Sequence, residues 1–342
     1  IADAFVKGLP NIDYHLALEA MLKDATIPPG GNEEAEGRGG LIPYLELGYI
    51  PYGIPRAGNR TIEYSYCDYA IALVAKGLGK TDLYQQYLKQ SSNWKNLWRA
   101  DYEHAGVKGF ILPRDKEGNW LDKIPFGNSH IQKPTFTYTP VTFEGPWYTP
   151  WWNMFFYEAS SWEYSLSIPH DVPGLIEQCG GKEKFDERLD IFFDKGFFNV
   201  NNEPSFLTPC LYHWVGRPDK SGDRIHEIIQ KNYNDGSAGL PGNDDSGAMS
   251  SWLVFHMMGL YPNAGQDYYL SRFHLQEGKT FTIKAEGLSE KNKYIRSILL
   301  NGKNYPYSAI RHNDIIKGGE LVLKMGPSPG NWGSKLFPES KE

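Results

Sequence analysis

Apolar residues recur every three or four positions near 1–8, 12–24, 61–78, 81–99, 150–167, 172–179, 182–195, 204–215, 219–234 and 247–260, and each stretch predicts an amphipathic helix. Long loops rich in Gly, Pro and aromatic residues separate them, without the strand-helix-strand alternation of a parallel sheet. After Tyr268 the period shortens. Thr280-Phe-Thr-Ile-Lys-Ala, Tyr294-Ile-Arg-Ser-Ile-Leu-Leu before an Asn301-Gly302 turn, 314–317 and 320–325 all read as strands. The pattern predicts a mainly α chain, helical over 1–262 and β-rich over 263–342, with an irregular tail from about 327. Paired helices joined by long loops fit an (α/α)6 toroid, whose loops at one end make the site. Such a toroid needs twelve helices, so ten with the first already under way at Ile1 place the opening helices upstream of this chain.

Composition narrows the function classes. With 342 residues and 40% hydrophobic content the chain can bury a sizeable core. A net charge of −6 with dispersed Lys and Arg gives no attraction for phosphate backbones, so nucleic acid is not an expected partner. No apolar run reaches membrane-spanning length, and the first residues lack the layout of a signal peptide. Cys67, Cys179 and Cys210 are far apart in apolar or aromatic surroundings, which predicts buried thiols. The nine His residues show no zinc spacing, and no phosphate-loop or Gly-x-Ser-x-Gly pattern occurs. Aromatic residues at 14% either fill the core or line a pocket that stacks on sugar rings.

The candidate chemistry lies in three segments. Gly242-Asn-Asp-Asp-Ser-Gly247 sets Asn243, Asp244 and Asp245 between permissive glycines, ahead of an apolar helix; it reads as an active-site loop, and equally as a helix cap by Asp245 or Ser246. Trp147 to Tyr164 packs aromatics, Trp162 among them, around Glu158, a setting in which desolvation keeps a carboxyl protonated for general-acid work; the plainer alternative is a solvated helix glutamate. Asn199 to Ser205 gathers amide and carboxylate oxygens, including Asn202 and Glu203, suited to a hard cation, to a polyhydroxylated ligand, or to a simple N-cap. Asp171 reads as a cap with Pro173 in the first turn, and Glu33, Glu34 and Glu36 as a solvated acidic cluster.

Together these residues carry a resemblance. Gly242-Asn-Asp-Asp-Ser-Gly-Ala-Met-Ser-Ser-Trp252, Glu158-Ala-Ser-Ser-Trp-Glu-Tyr164 with Pro169-His-Asp-Val-Pro-Gly-Leu-Ile176, and Asn202-Glu-Pro-Ser205 look like glycoside hydrolase family 92. Thr61-Ile-Glu-Tyr-Ser-Tyr-Cys-Asp-Tyr-Ala70 and Gly109-Phe-Ile-Leu-Pro-Arg114 extend the likeness along nearly the whole chain.

The resemblance implies an upstream β-sandwich and first helices outside this chain, and a calcium-dependent, exo-acting, inverting α-mannosidase that removes non-reducing-end mannose from mannosides or N-glycans. It further implies a secreted, periplasmic or cell-surface location. Carried over by position, the catalytic residues are Glu158, the acid, Asp245, the base that activates water, and Asp244 beside it, while Trp162, Asn202, Glu203 and Asn243 contact substrate and Asn202 and Glu203 hold calcium. Ala159-Ser160 after Glu158, and Cys67 at a commonly acidic position, depart from the family pattern and bear on linkage preference. A glycan-binding module that lost turnover is the contrasting reading, and a toroid hydrolase acting on glucosides a third.

Overall fold

The computed structural model describes residues 1–31, 37–125, 137–142, 155–266, 268–269 and 279–336. The chain is mainly helical with a small C-terminal sheet, and it divides into two compact units, one of residues 1–181 and 194–198, the other of 182–193 and 199–342.

In the first unit, α1 (Ala2–Val6), α2 (Tyr14–Thr26), α3 (Leu41–Leu47), α4 (Ala57–Gly77) and α5 (Thr81–Gln90) lead into the hairpin β1 (Trp98–His104) and β2 (Val107–Ile111). The short strands β3 (Ile124–Pro125) and β4 (Thr137–Tyr138) and the helices α6 (Ser161–Tyr164) and α7 (Val172–Gln178) follow. Helix α4 is the axis of the unit: Ile71, Val74 and Ala75 bury one stripe against Leu18 and Ala25 of α2 and Tyr87 of α5. A second buried contact of this helix is polar. Arg38 donates to Asp68 at 2.7 Å, and Tyr44 donates to the second carboxylate oxygen at 2.8 Å, so a charge withdrawn from water is paired and hydrogen-bonded.

The expected helix over 81–99 stops at Gln90. Ser91 turns its hydroxyl back to the Leu88 carbonyl at 2.7 Å, while its own carbonyl accepts from His170 at 2.9 Å; these bonds take the groups that would continue the ladder, and the chain passes through a 3-10 turn into β1. Likewise, of 150–167 only Ser161–Tyr164 is helical among the described residues, because Glu158 is left-handed and Ser160 starts a new helix. Asp171 caps α7 by accepting from Gly174 at 2.9 Å, with Pro173 in the first turn.

In the second unit, α8 (Lys182–Asp194) runs to the unit boundary, and α9 (Pro218–Asn232) and α10 (Ala248–Met257) complete the long helices. Residues 204–215, expected as one helix, form two 3-10 segments, since Pro204 and Pro209 remove backbone donors. After β5 (Tyr268–Tyr269) come β6 (Phe281–Glu286), β7 (Tyr294–Leu300), β8 (Lys303–Asn304), β9 (Ile310–Arg311), α11 (His312–Ile316) and β10 (Gly319–Gly326). The sheet order is β6-β10-β7-β8, with β10 parallel to β6 and antiparallel to β7. The expected strand at 314–317 is instead α11, whose Ile315 enters the core; so short an apolar pair carries no period of its own. Behind the sheet a cavity of about 450 Å³ is lined by Ile295, Ile298, Leu321, His213, His256 and Tyr261, and it contains none of the candidate residues. The three cysteines form no disulfide, and only Cys210 is buried; Cys179 is half-buried and Cys67 is exposed.

Candidate active site

The first unit carries the Glu158 segment and the second carries the other two. In the second, Trp252 roots α10: its ring is buried, its indole N–H donates to the Phe206 carbonyl at 3.0 Å, and it stacks on Tyr233 at 5.8 Å. The loop before α10 therefore has a fixed base, and its backbone is unusual. Asp244 (φ 65°), Asp245 (φ 41°), Ser246 (φ 60°) and Gly247 (φ 91°) are four successive left-handed residues, three of which are L-residues that avoid this region. The turn is closed by the Asp244 carbonyl, which accepts from Gly247 at 3.1 Å and Met249 at 3.3 Å.

The two adjacent carboxylates are not equivalent. Asp244 accepts from the backbone N–H of Ser250 at 2.8 Å and from its hydroxyl at 2.7 Å, and these bonds hold its carboxyl below the usual range. It caps the first turn of α10. Asp245 is exposed, and no described residue is hydrogen-bonded to its carboxylate. The cap expected of Asp245 or Ser246 is thus supplied by Asp244, which leaves Asp245 available for chemistry. Asn243 is also exposed.

Gly242 lets this loop approach the Asn199–Ser205 segment: a Cβ there would lie 3.2 Å from the Cβ of Asn201 and 2.9 Å from the Met249 thioether. Two of the three segments singled out in the sequence thereby become neighbours. Asn202 is buried at the head of the 3-10 turn Glu203–Ser205, and Glu203 is exposed. Amide and carboxylate oxygens suit a hard cation, although among the described residues no three His, Cys, Asp or Glu side chains gather as a preformed metal cage.

In the first unit, Glu158 is half-buried and left-handed at φ 57°. The residue before it is clamped. The Tyr157 N–H donates to Asn59 of α4 at 3.1 Å, and the Tyr157 carbonyl accepts from the Tyr164 hydroxyl at 2.9 Å. Gly58 donates its N–H to Phe155 at 2.9 Å, and only a glycine leaves room there for the Phe155 and Phe156 rings, which a Cβ would meet at 2.6 Å. Phe156 in turn stacks on Tyr164 at 5.0 Å. Burial raises the Tyr164 phenol well above its ordinary value, aided by the negative fields of Glu63, Glu163 and Glu158, so it stays a hydrogen-bond donor. Glu163 itself accepts from the backbone and hydroxyl of Ser160 and is used up in starting α6.

Trp162 was expected to face substrate and does not. It has no exposed surface: it stacks on Phe197 at 4.6 Å, meets Phe110 edge-on at 5.0 Å, and donates its N–H to His104 at 3.0 Å. An aromatic run distinguishes pocket from core only through packing, and here packing covers the ring. Trp147, Tyr148, Trp151 and Trp152, like Glu33, Glu34 and Glu36, lie outside the described residues. The clamp residues Asn59 and Tyr164 escape sequence reasoning, since Asn59 lies in the first turn of α4, ahead of the helix expected over 61–78, and Tyr164 in an aromatic run.

Comparison with known proteins identifies the family. Residues 1–327 match the glycosyl hydrolase family 92 catalytic domain. An uncharacterized secreted glycosidase of Arthroderma benhamiae is 40% identical over 98% of this chain and 45% of its own length. Among solved structures, a family GH92 inverting mannosidase from Bacteroides thetaiotaomicron superposes with a TM-score of 0.82 at 31% identity, covering 99% of this chain and 47% of that one. A GH92 α-mannosidase from the same organism, in complex with mannoimidazole, gives 0.81 at 29% identity, covering 99% and 45%. The chain spans about half the length of these relatives.

Proposed function

The chain belongs to glycosyl hydrolase family 92, and from that premise we propose that it carries catalytic residues of an exo-acting, inverting α-mannosidase of the (α/α)6 toroid type, secreted from the cell. The observation that carries the assignment of residues is backbone strain. Of the eight non-glycine residues at positive φ among those described, four are Glu158, Asp244, Asp245 and Ser246. Strain of this kind persists only where surrounding structure enforces it, and it concentrates at functional sites.

In the proposed reaction, the Glu158 carboxylic acid gives its proton to the glycosidic oxygen as the bond from that oxygen to the anomeric carbon breaks. Asp245 takes a proton from a water molecule, whose oxygen attacks the anomeric carbon from the opposite face. The products are β-mannose and the leaving alcohol. Asp244 holds the turn that presents Asp245, and Asn243 and Glu203, both exposed, would contact sugar hydroxyls. Asn202 and Glu203 would provide two oxygen ligands to calcium, leaving most of its coordination to water and substrate. Calcium bound there supplies positive charge that polarises sugar hydroxyls.

The test uses the full-length protein with α1,2-, α1,3- and α1,6-linked mannobiose, following the released anomer by NMR. Release of β-mannose supports the reading; initial release of α-mannose refutes inversion. Binding of mannose without release supports the glycan-binding alternative, and cleavage of glucosides alone the third reading.

A further inference from the structure

In the second unit, α9 borders two recesses. Ile225 and Ile229 on one of its faces line the cavity behind the sheet, whose opposite wall includes Ile283, Ile298, Leu321 and Leu323. Asp219, Asp223 and Gln230 on the neighbouring face line a cleft of about 950 Å³, together with Lys293 and Asn331. Cavity and cleft adjoin, because Pro218, Gly222, His226, Ile295 and Trp332 line both. Helix and sheet do not close on each other: Ile225, Ile229, Ile283, Ile295 and Leu323 stay half-buried.

A glycine stands at the border. Gly222 lies inside α9, where glycine weakens a helix and is ordinarily kept for a close contact or a turn. In the other helices, a Cβ at Gly58, Gly77 or Gly174 would meet an atom at 2.6, 2.3 and 2.3 Å respectively. At Gly222 no described atom lies within 4 Å of the Cβ position, so packing does not require the glycine, and the missing side chain leaves space where the recesses meet. The cleft is braced, and its cations are engaged. Arg217 pairs with Asp219 at 2.7 Å and Lys293 with Asp223 at 3.1 Å, while the Tyr294 hydroxyl donates to the second Asp223 oxygen at 3.2 Å and ties β7 to α9. An anionic group entering the cleft would meet neutralised cations with carboxylates beside them; a neutral group that both donates and accepts hydrogen bonds matches this lining.

We propose that cavity and cleft together bind an amphiphile with an apolar chain and a neutral, hydroxyl-rich head. The chain occupies the cavity, whose volume of about 450 Å³ falls within the range of small-molecule pockets, roughly 300–1,000 Å³. The head lies in the cleft, within reach of Gln230 and Asn331. Trp332 packs against the sheet core at the boundary, where an apolar ring with a polar N–H suits both sides. The site shares no residue with the Glu158, Asn202-Glu203 and Asn243–Asp245 segments, so the inference is independent of the glycosidase reading.

The test titrates hexyl, heptyl and octyl β-glucoside, each below its micelle-forming concentration, into the full-length protein in a calorimeter with excess mannose present. The Kd is expected to fall roughly fourfold per added methylene, the equivalent of about 0.8 kcal/mol of apolar burial, while glucose itself is not bound. Gly222→Leu and Gly222→Phe should each weaken octyl β-glucoside at least tenfold, with the melting temperature kept or raised and mannoside turnover unchanged. Absence of saturable binding to wild type would show that water or the remainder of the protein fills the cavity, and would overturn the proposal. So would an affinity indifferent to chain length, wild-type binding in both variants, or tighter binding of octanoate than of octyl β-glucoside. Failure of both variants to fold would show that packing requires Gly222 and would also overturn it. A wild type that binds octyl β-glucoside but releases no mannose from any mannoside would sink the glycosidase reading alone.

Discussion

The side-chain oxygen of Asn59 holds the backbone N–H of Tyr157 at 3.1 Å, across 98 residues of sequence, and so fixes the peptide that precedes Glu158. With the Tyr164 hydroxyl on the carbonyl of the same residue, both polar groups of Tyr157 are committed before the chain turns left-handed. The orientation of the candidate acid is thus set by α4 and α6.

Removing the clamp tests this directly. Asn59→Ala is expected to lower kcat roughly 10- to 100-fold with a much smaller change in KM, since it misplaces a group that acts in the transition state. The loss of one hydrogen bond destabilises the fold by only about 1 kcal/mol. Steady-state kinetics with denaturant melts separate the two effects, and a KM increase without a kcat loss would contradict the positioning role.

The adjacent aspartates should behave oppositely. Asp244→Ala removes the acceptor from the Ser250 N–H and hydroxyl, so the melting temperature falls by a few degrees and α10 frays at its start. Asp245→Asn leaves the melting temperature in place and abolishes turnover. Melting curves and turnover of the two variants decide it; a destabilised Asp245→Asn with full activity would reverse the assignments.

Acid should weaken the first unit through His170. Its ring is buried, its Nε2–H donates to the Ser91 carbonyl, and burial lowers its pKa from 6.5 to about 4. The unfolded chain therefore binds a proton that the folded chain refuses. The stability contribution is complete above pH 6.5 and is lost as pH falls towards about 4, by about 3 kcal/mol at most. His213 and His256, lowered to about 4 and about 3, act in the same direction in the second unit. Urea midpoints of wild type and His170→Gln between pH 4 and 7 isolate His170, whose absence should flatten the acid limb; parallel curves would show that it takes up its proton equally in the folded and unfolded states.

Chelation tests the ligand set. Activity of the full-length protein is expected to drop at least tenfold in chelator and to return with calcium but not magnesium, which prefers small octahedral sites. Glu203→Gln should raise the calcium concentration needed for half-maximal activity. Undiminished turnover in chelator would remove the metal from the mechanism.

The hydrophobic period by itself determined where most long helices run and that the chain ends in strands, because both patterns follow from local geometry. Motif spacing marked Glu158, Asp245 and the Asn202-Glu203 pair as candidate groups. Tertiary structure decided the rest. It ended the 81–99 helix at Ser91 by tying that carbonyl to His170, and turned 314–317 into a helix whose Ile315 fills the core. It also buried Trp162 and separated the capping Asp244 from the exposed Asp245. Each of these outcomes depends on a partner distant in sequence or on the conformation of a strained turn, and neither burial nor hydrogen-bond donation is encoded in residue type alone.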